Sequence, residues 1–450
     1  SATASYCVPG ATDTCSAPMG EWNFEEGSGT SAFDSSGNGN TGTATGTTII
    51  SGKVGKARSF NGTSDYVAVA GNGGLNITDN LTLSAWIKPT TLTQASNPEI
   101  IAKSTGAFFY RMRFISGGTI RFNAYGTSDT TLDTTATLTA NSWNHVEMVY
   151  NGSTKAIYIN GNLSTSESTT GSMASEANNN LYIGNLVSSE YFSGSIDQVR
   201  IYNYARTQAQ IAWDYNRGGP AARHKFDECQ GATANDSSGN GNNGTITIGG
   251  TGTQTAVGTC TTSGAWFGGA TGKYNSSLNF DGTDDYVSTG TYTPPSGDQS
   301  YSTWIKTSTS GAQGVMTFSN SAPANATHDR EITVSSGNKV VFYITNSAGG
   351  TGYTITGNTS INDGNWHHIV TVVNNTTVSL YVDGKLDTSA PGNTGYTGYT
   401  TPKFNIGNAY LAATSYFSGQ IDDVRIYNYA LTPLQVKQVF NEGSGVRFGL

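Results

Sequence analysis

Charged side chains are scarce in this chain. Lys, Arg, Asp and Glu make up 12% of its 450 residues, about half of the roughly 25% usual in soluble domains. With 23 basic and 31 acidic residues the formal charge is −8. A nucleic-acid backbone is therefore excluded as the partner, because binding one needs a dense basic surface. No apolar run approaches the roughly 20 residues of a membrane-spanning helix, so no membrane insertion is expected. Cysteine is rare as well: there are four, with no Cys-x-x-Cys. Cys7 and Cys15 lie close together in a polar lead-in, and Cys229 and Cys260 flank a Gly/Thr-rich stretch. Local pairs 7–15 and 229–260 are the economical arrangement, with the two other connectivities left open. Disulfides imply an oxidising place of work, outside the cell or on its surface. Of the five histidines, the recurring His145 and His368 have no Cys or His at ligand spacing, which argues against zinc.

Glycine is abundant, at 57 residues, and 36% of the chain is hydrophobic and 11% aromatic. The apolar residues fall in short alternating runs between Gly, Asn and Asp, the pattern of many short strands joined by tight turns. One run occurs twice, as YFSGSIDQVRIYNYA at 191–205 and YFSGQIDDVRIYNYA at 416–430. Other motifs recur in the same order: DSSGNGNTG at 34–42 with DSSGNGNNG at 236–244, FNGTSDYV at 60–67 with FDGTDDYV at 280–287, and IYINGNL at 157–163 with LYVDGKL at 380–386. The chain is an internal duplication. The second copy is 18 residues longer between its DSSGNGNNG and FDGTDDYV motifs, and Cys260 falls in that insertion.

This order predicts a lead-in over 1–19, a first domain over 20–217, a linker at 218–222, a second domain over 223–442 and a tail at 443–450. Each domain reads as an all-β sandwich of two antiparallel sheets. A short helix closes each, and the second has the clearer start, with Thr432 as N-cap, Pro433 in the first turn and Gln435 at N3. Glu21–Phe24 and Arg223–Phe226 read as opening strands, lying beside the closing strands. The closing strands raise a difficulty. In a regular strand Asp197 shares a face with Val199 and Ile201, and Asp422 with Val424 and Ile426. A carboxylate on the apolar face needs a partner.

The ordered set FDECQG…DSSGNGNNG, LNFDGTDDYV, NWHHIV, LYVDGKL and GQIDDVRIYNYAL, nearly all repeated in the first copy, resembles the laminin-G-like jelly rolls of the concanavalin A-like lectin/glucanase superfamily, in its bacterial extracellular branch. The resemblance implies two tandem jelly rolls, frequent structural calcium, and glycan binding, adhesion or surface display. Calcium takes 6–8 oxygen ligands. One ion per domain is expected, held by Asp34, Asn38, Asn40 and Asp197 in the first and by Asp236, Asn240, Asn242 and Asp422 in the second. The competing reading makes DSSGNGN a turn satisfied by its own backbone.

Ligand contacts are expected from aromatics the copies do not share: Tyr110 and Tyr125, and Tyr353, Tyr396 and Tyr399. The recurring Trp86 and Trp304 read as packing residues, and His145 and His368 as structural hydrogen-bonding groups. Hydrolases of the superfamily carry E-x-D-x-E or E-x-D-x-x-E on one strand, and neither occurs here; Gly-x-Ser-x-Gly and His-Glu-x-x-His are absent too. The expected function is a non-catalytic, calcium-stabilised module that binds a glycan or a partner surface. The alternative is a structural subunit of a filament, stalk or surface layer that self-associates through its termini and sheet edges.

Overall fold

The computed structural model describes residues 15–71, 73–104, 108–174, 179–186, 190–267, 271–292, 294, 297–324, 328–345, 352–374, 376–392, 403–410 and 414–442. The chain divides between Arg217 and Gly218 into two compact units, each an antiparallel jelly-roll sandwich. Cys7, the tail at 443–450, Tyr396 and Tyr399 lie outside the described residues. Cys15 is disulfide-bonded.

In the first unit one sheet runs in the order Asn162–Ser168, Thr154–Ile159, Asn144–Tyr150, Leu81–Pro89, Ser193–Tyr202, Lys56–Asn61 and Thr48–Ser51. The opposing sheet runs Thr131–Asp133, Thr119–Ala124, Phe108–Ile115, Glu99–Ser104, Leu181–Ile183, Tyr66–Val69, Gly42–Thr45 and Ser31–Ala32. Their inner faces meet in one core, with Leu83, Ala85 and Ile87 from the first sheet against Ile101, Met112 and Phe122 from the second. The second unit repeats this plan around Gln299–Lys306, Trp366–Asn374 and Ser418–Tyr427.

First and last strands lie side by side as expected. Gly20–Trp22 pairs with the closing strand in the register Gly20↔Ile201, and Ala222–His224 pairs in the register Ala222↔Ile426. Both opening strands stop short of the expected Phe24 and Phe226. Those residues take φ of 56° and 55°, a left-handed conformation that no strand continues through.

The closing strands are not regular, and this resolves the phase of the aspartates. Gln198 and Asp423 take φ of 50° and 47°, and the pairing register shifts between Asp197 and Arg200 and at the matching place in the second unit. Each is a β-bulge, which inserts one residue and flips the phase. Asp197 therefore sits opposite Trp86, away from the core, while Val199 and Ile201 remain in it.

Helices α1 (Gln208–Asn216) and α2 (Pro433–Asn441) begin with capping boxes at Thr207 and Thr432. Each lies on the outer face of the closing-strand sheet, with one aromatic side chain of the helix against the tryptophan and histidine of that face. Tyr215 stacks on Trp86 and Phe440 on Trp304, both with ring centroids 5.5 Å apart. Lys53 and Lys273 approach the same indoles at 4.4 and 3.9 Å. Both tryptophans are buried, so they pack rather than bind. His145 and His368 are buried beside them, bonded to Ser84 and Ser302.

The inserted segment of the second unit carries the disulfide Cys229–Cys260. It covers a sheet edge: Ala265 O accepts from Asn279 N at 2.9 Å, and the buried Trp266 donates to Gly231 O.

Candidate functional site

The DSSGNGN loops are satisfied by their own surroundings. Asp34 accepts from the N–H groups of Glu21 and Ser36 on one oxygen and Asn40 on the other, at 2.8–2.9 Å. Asn38 and Asn40 donate their side-chain amides to Met19 O. Asp236 repeats the pattern with Arg223, Ser238 and Asn242, and Asn240 and Asn242 donate to Ala221 O. Burial alone would raise the Asp236 carboxyl, but these donors hold it below its ordinary value. The carboxylates of these loops are engaged by N–H groups, the arrangement that the competing reading expects. The loops are turns that tie the opening strand to the segment after it.

The closing-strand aspartates take different partners. Asp197 accepts from Val54 N at 3.0 Å and Asp422 from Tyr274 N at 2.8 Å. Both residues are fully buried, and in each the other oxygen, Oδ1, has no hydrogen-bond partner among the described residues. Burial raises Asp197 to about 6 against the opposing pull of the Val54 N–H. Burial, reinforced by the neighbouring Asp423 charge, raises Asp422 to about 8. The bulge aims both at a hairpin or loop from before the next strand, where Gly52 is obligatory: a Cβ there would lie 2.6 Å from Asp197 Oδ2. In the second unit Asp422 opens onto a cavity of about 240 Å³. The sequence held a signal for this placement, since Lys53 and Lys273 recur just before the donors Val54 and Tyr274.

A second surface lies on the outward face of the opposing sheet. Across the first unit, pairing aligns Ala68, Tyr182, Ala102, Arg111 and Asn123 in one row. Tyr66 and Tyr182 meet edge to face at 6.3 Å, both half-buried. Arg111 is fully engaged, by Asn123 Oδ1, Glu99 Oε1 and the Tyr125 hydroxyl. Tyr125 thus belongs to this surface. Tyr110 does not: it points into the core, 1% exposed, with its hydroxyl on Leu75 O, because alternation along Phe108–Ile115 sends Arg111 and Arg113 outward and Tyr110 inward. Tyr353 is partly buried against the second unit's core.

The matching row in the second unit is Ser288, Asn405, Thr317, Glu331 and Tyr343. Glu331 stands where the first unit has Arg111. It accepts from Thr317 Oγ1 and Tyr410 N, and burial pushes it up to about 8. At the same point of the fold the first unit thus carries a guanidinium and the second a carboxyl.

Comparison with known proteins gives one family. The model of Laminin_G_3, of the concanavalin A-like lectin/glucanases superfamily, matches residues 61–212 and 281–437, more than half of the chain and once in each unit. No curated protein matches. Among solved structures, domain 4 of AbnA, a GH43 extracellular arabinanase from Geobacillus stearothermophilus, in complex with arabinotriose, is 22% identical, with 43% of this chain and 96% of that one covered at a TM-score of 0.36. Domains LG4-5 of the mouse laminin alpha1 chain are 15% identical, with 85% and 93% covered and a TM-score of 0.28. The CBM40 of the Ruminococcus gnavus IT-sialidase bound to alpha2,3 sialyllactose is 14% identical, with 36% and 95% covered and a TM-score of 0.30.

Proposed function

We propose, from the premise that the chain belongs to the Laminin_G_3 family of the concanavalin A-like lectin/glucanases superfamily, that it is a non-catalytic glycan-binding module working outside the cell. The observation that carries this reading is the half-buried Tyr66–Tyr182 pair on the outward face of the first unit. Ala68 and Ala102, the residues paired with Tyr182 across the strands, are small, and Tyr66 meets its ring edge on. A tyrosine combines an apolar ring with a hydroxyl that still reaches a polar partner, which suits the C–H face and hydroxyls of a sugar. Tyr182→Ala is expected to weaken polysaccharide binding about tenfold or more, a loss of about 1.4 kcal/mol, with little change in unfolding. Affinity electrophoresis against a panel of arabinan, xylan, galactan and glucan reads this directly. Unchanged mobility shifts would remove the pair from the binding surface. The disulfide Cys229–Cys260 suits an oxidising location, and no described helix is long and apolar enough to cross a membrane.

Calcium enters this reading only through Asp197 and Asp422, whose Oδ1 atoms are the unengaged oxygens of the expected ligand carboxylates. An ion there would supply the charge that each buried carboxylate lacks. One variant separates the two states. Without an ion, the raised Asp422 is protonated when folded and ionised when unfolded. Its contribution to stability is then full below about pH 4 and fades as the pH rises through about 8. Asp422→Asn should abolish that slope and raise the unfolding midpoint at pH 8 by a few degrees. With an ion bound, the same variant lowers the midpoint, and EDTA lowers that of the unsubstituted protein. Calorimetry at pH 5 and 8, with and without EDTA, distinguishes them; no response to EDTA removes calcium and leaves the glycan reading intact.

A structural subunit remains the second reading. One observation favours it: the first unit's closing-strand sheet ends on Thr48–Ser51, an edge strand without the charges that normally discourage edge pairing.

A further inference from the structure

The cavity beside Asp422 is built from residues that the first unit does not have. Its wall includes Arg223, Lys225, Asp227, Tyr274 and Asn275, with Asp422 at its base. At the corresponding positions the first unit has Glu21, Asn23, Glu25, Val54 and Gly55, and shares only the aspartate, as Asp197. Such a set of differences on a shared scaffold is where a copy-specific ligand would be recognised.

The charges around this cavity are largely accounted for. Arg223 grips Asp423 through two bonds, at 2.8 and 3.3 Å. Arg425 also pairs with Asp423 and with Glu442, and Arg223 reaches Glu442 at 3.4 Å. Facing the open volume are Lys225 and Asp227, both exposed and of opposite sign. Behind them lies Asp422 Oδ1, buried and with no partner among the described residues. A buried polar atom without a partner is costly unless something supplies one. With Arg223 already committed to Asp423 and Glu442, an ion entering the open volume meets a like charge either way, Lys225 for a cation and Asp227 for an anion. A neutral molecule bearing several hydroxyls meets neither objection, because each hydroxyl both donates and accepts. The half-buried Tyr274 ring offers an apolar flank. The volume of about 240 Å³ is below the roughly 300–1,000 Å³ of drug-sized sites and suits one ring.

We propose that this cavity in the second unit binds a single neutral sugar ring, such as the end residue of a glycan. It takes its ligand class from the glycan-binding reading but lies at a different place, so the tandem units offer two unlike subsites. Linking two subsites raises avidity when both engage one ligand.

The test is ligand-observed saturation-transfer NMR on the full chain. The probes are the methyl glycosides of arabinose, galactose, glucose and mannose, with glucosamine and glucuronate as charged controls. At least one neutral glycoside is expected to receive saturation. Lys225→Ala and Asp227→Ala, both at exposed positions, should each weaken its binding tenfold or more while leaving the unfolding midpoint in place. Tyr182→Ala should leave it unchanged. The proposal is overturned by transfer to no probe, by transfer only to a charged control, or by neutral binding that survives both second-unit variants. It is also overturned if calcium binds and Asp227→Ala removes the ion with no sugar bound. Loss of monosaccharide binding on Tyr182→Ala alone would overturn this cavity and leave the glycan reading standing. Conversely, monosaccharide binding that depends on Lys225, with polysaccharide binding unaffected by Tyr182→Ala, would support the cavity and remove the first-unit surface.

Discussion

Arg206→Leu should destabilise the first unit by about 3–5 kcal/mol, the usual consequence of breaking one side of a buried ion pair. Arg206 Nε lies 2.6 Å from Asp214 Oδ2 and 3.7 Å from Glu147 Oε1, and all three side chains are sealed from solvent. Burial drives Glu147 well above its ordinary value, and Asp214 adds to that. Asp214 is itself raised by burial against the pull of Arg206. Removing the guanidinium leaves Asp214 with the longer contact to Arg200, at 3.5 Å, and the more distant charge of Arg217. The second unit shows what replaces the set: Leu431, Val439 and Val370 stand at the three corresponding positions. The triple variant Arg206→Leu, Asp214→Val, Glu147→Val is therefore expected to recover most of the loss or exceed the parent, since apolar replacement of a buried ion set is often neutral or stabilising by about 1–4 kcal/mol. Hydrogen exchange read by mass spectrometry separates the two units within the full chain, with the second as internal control. A single variant as stable as the parent would show that the ions are not coupled as drawn.

Removing the disulfide should cost the second unit about 3–4 kcal/mol, from the loop-closure entropy of a 31-residue separation. The effect is local in the first instance. The bridge anchors the segment whose Ala265 covers the edge at Asn279 and whose Trp266 is buried whole. Cys229→Ala with Cys260→Ala should thus speed amide exchange at Leu278–Asp281 before the rest of the unit responds. Urea unfolding with and without the pair of substitutions gives the magnitude; a midpoint unmoved in the second unit would mean that the segment holds its place by packing alone.

Much of the fold could be read from the chain because its signals are local. The duplicated motifs mark strands and turns in fixed order, and Thr432-Pro433 marks a helix start by its own chemistry. The adjacency of first and last strands was readable too, through the motifs they share. What escaped depended on single backbone torsions or on contacts distant in sequence. Nothing in FEE or FDE announces that Phe24 and Phe226 turn left-handed. Nothing in IDQV or IDDV announces a bulge, so the face of the aspartates could be stated only for a regular strand, and the carboxylates of DSSGNGN accept from backbone donors. Tyr110 is a different case: the alternation of FFYRMRFI already placed it opposite Arg111 and Arg113. The Glu147–Arg206–Asp214 set joins residues up to 67 positions apart; only comparison of the two copies exposes it, as three polar residues exchanged together for three apolar ones.

The register of the opening strand has a mechanical consequence. Gly20 pairs with Ile201, and Ala222 with Ile426, so the chain enters and leaves the paired strands of each unit at the same end. Tension passed along the chain would part those strands like a zipper, loading one hydrogen bond at a time, rather than shearing the row together. Once its helix has peeled away, each unit should yield at modest force and lengthen, behaving under load as an extensible link rather than a stiff strut.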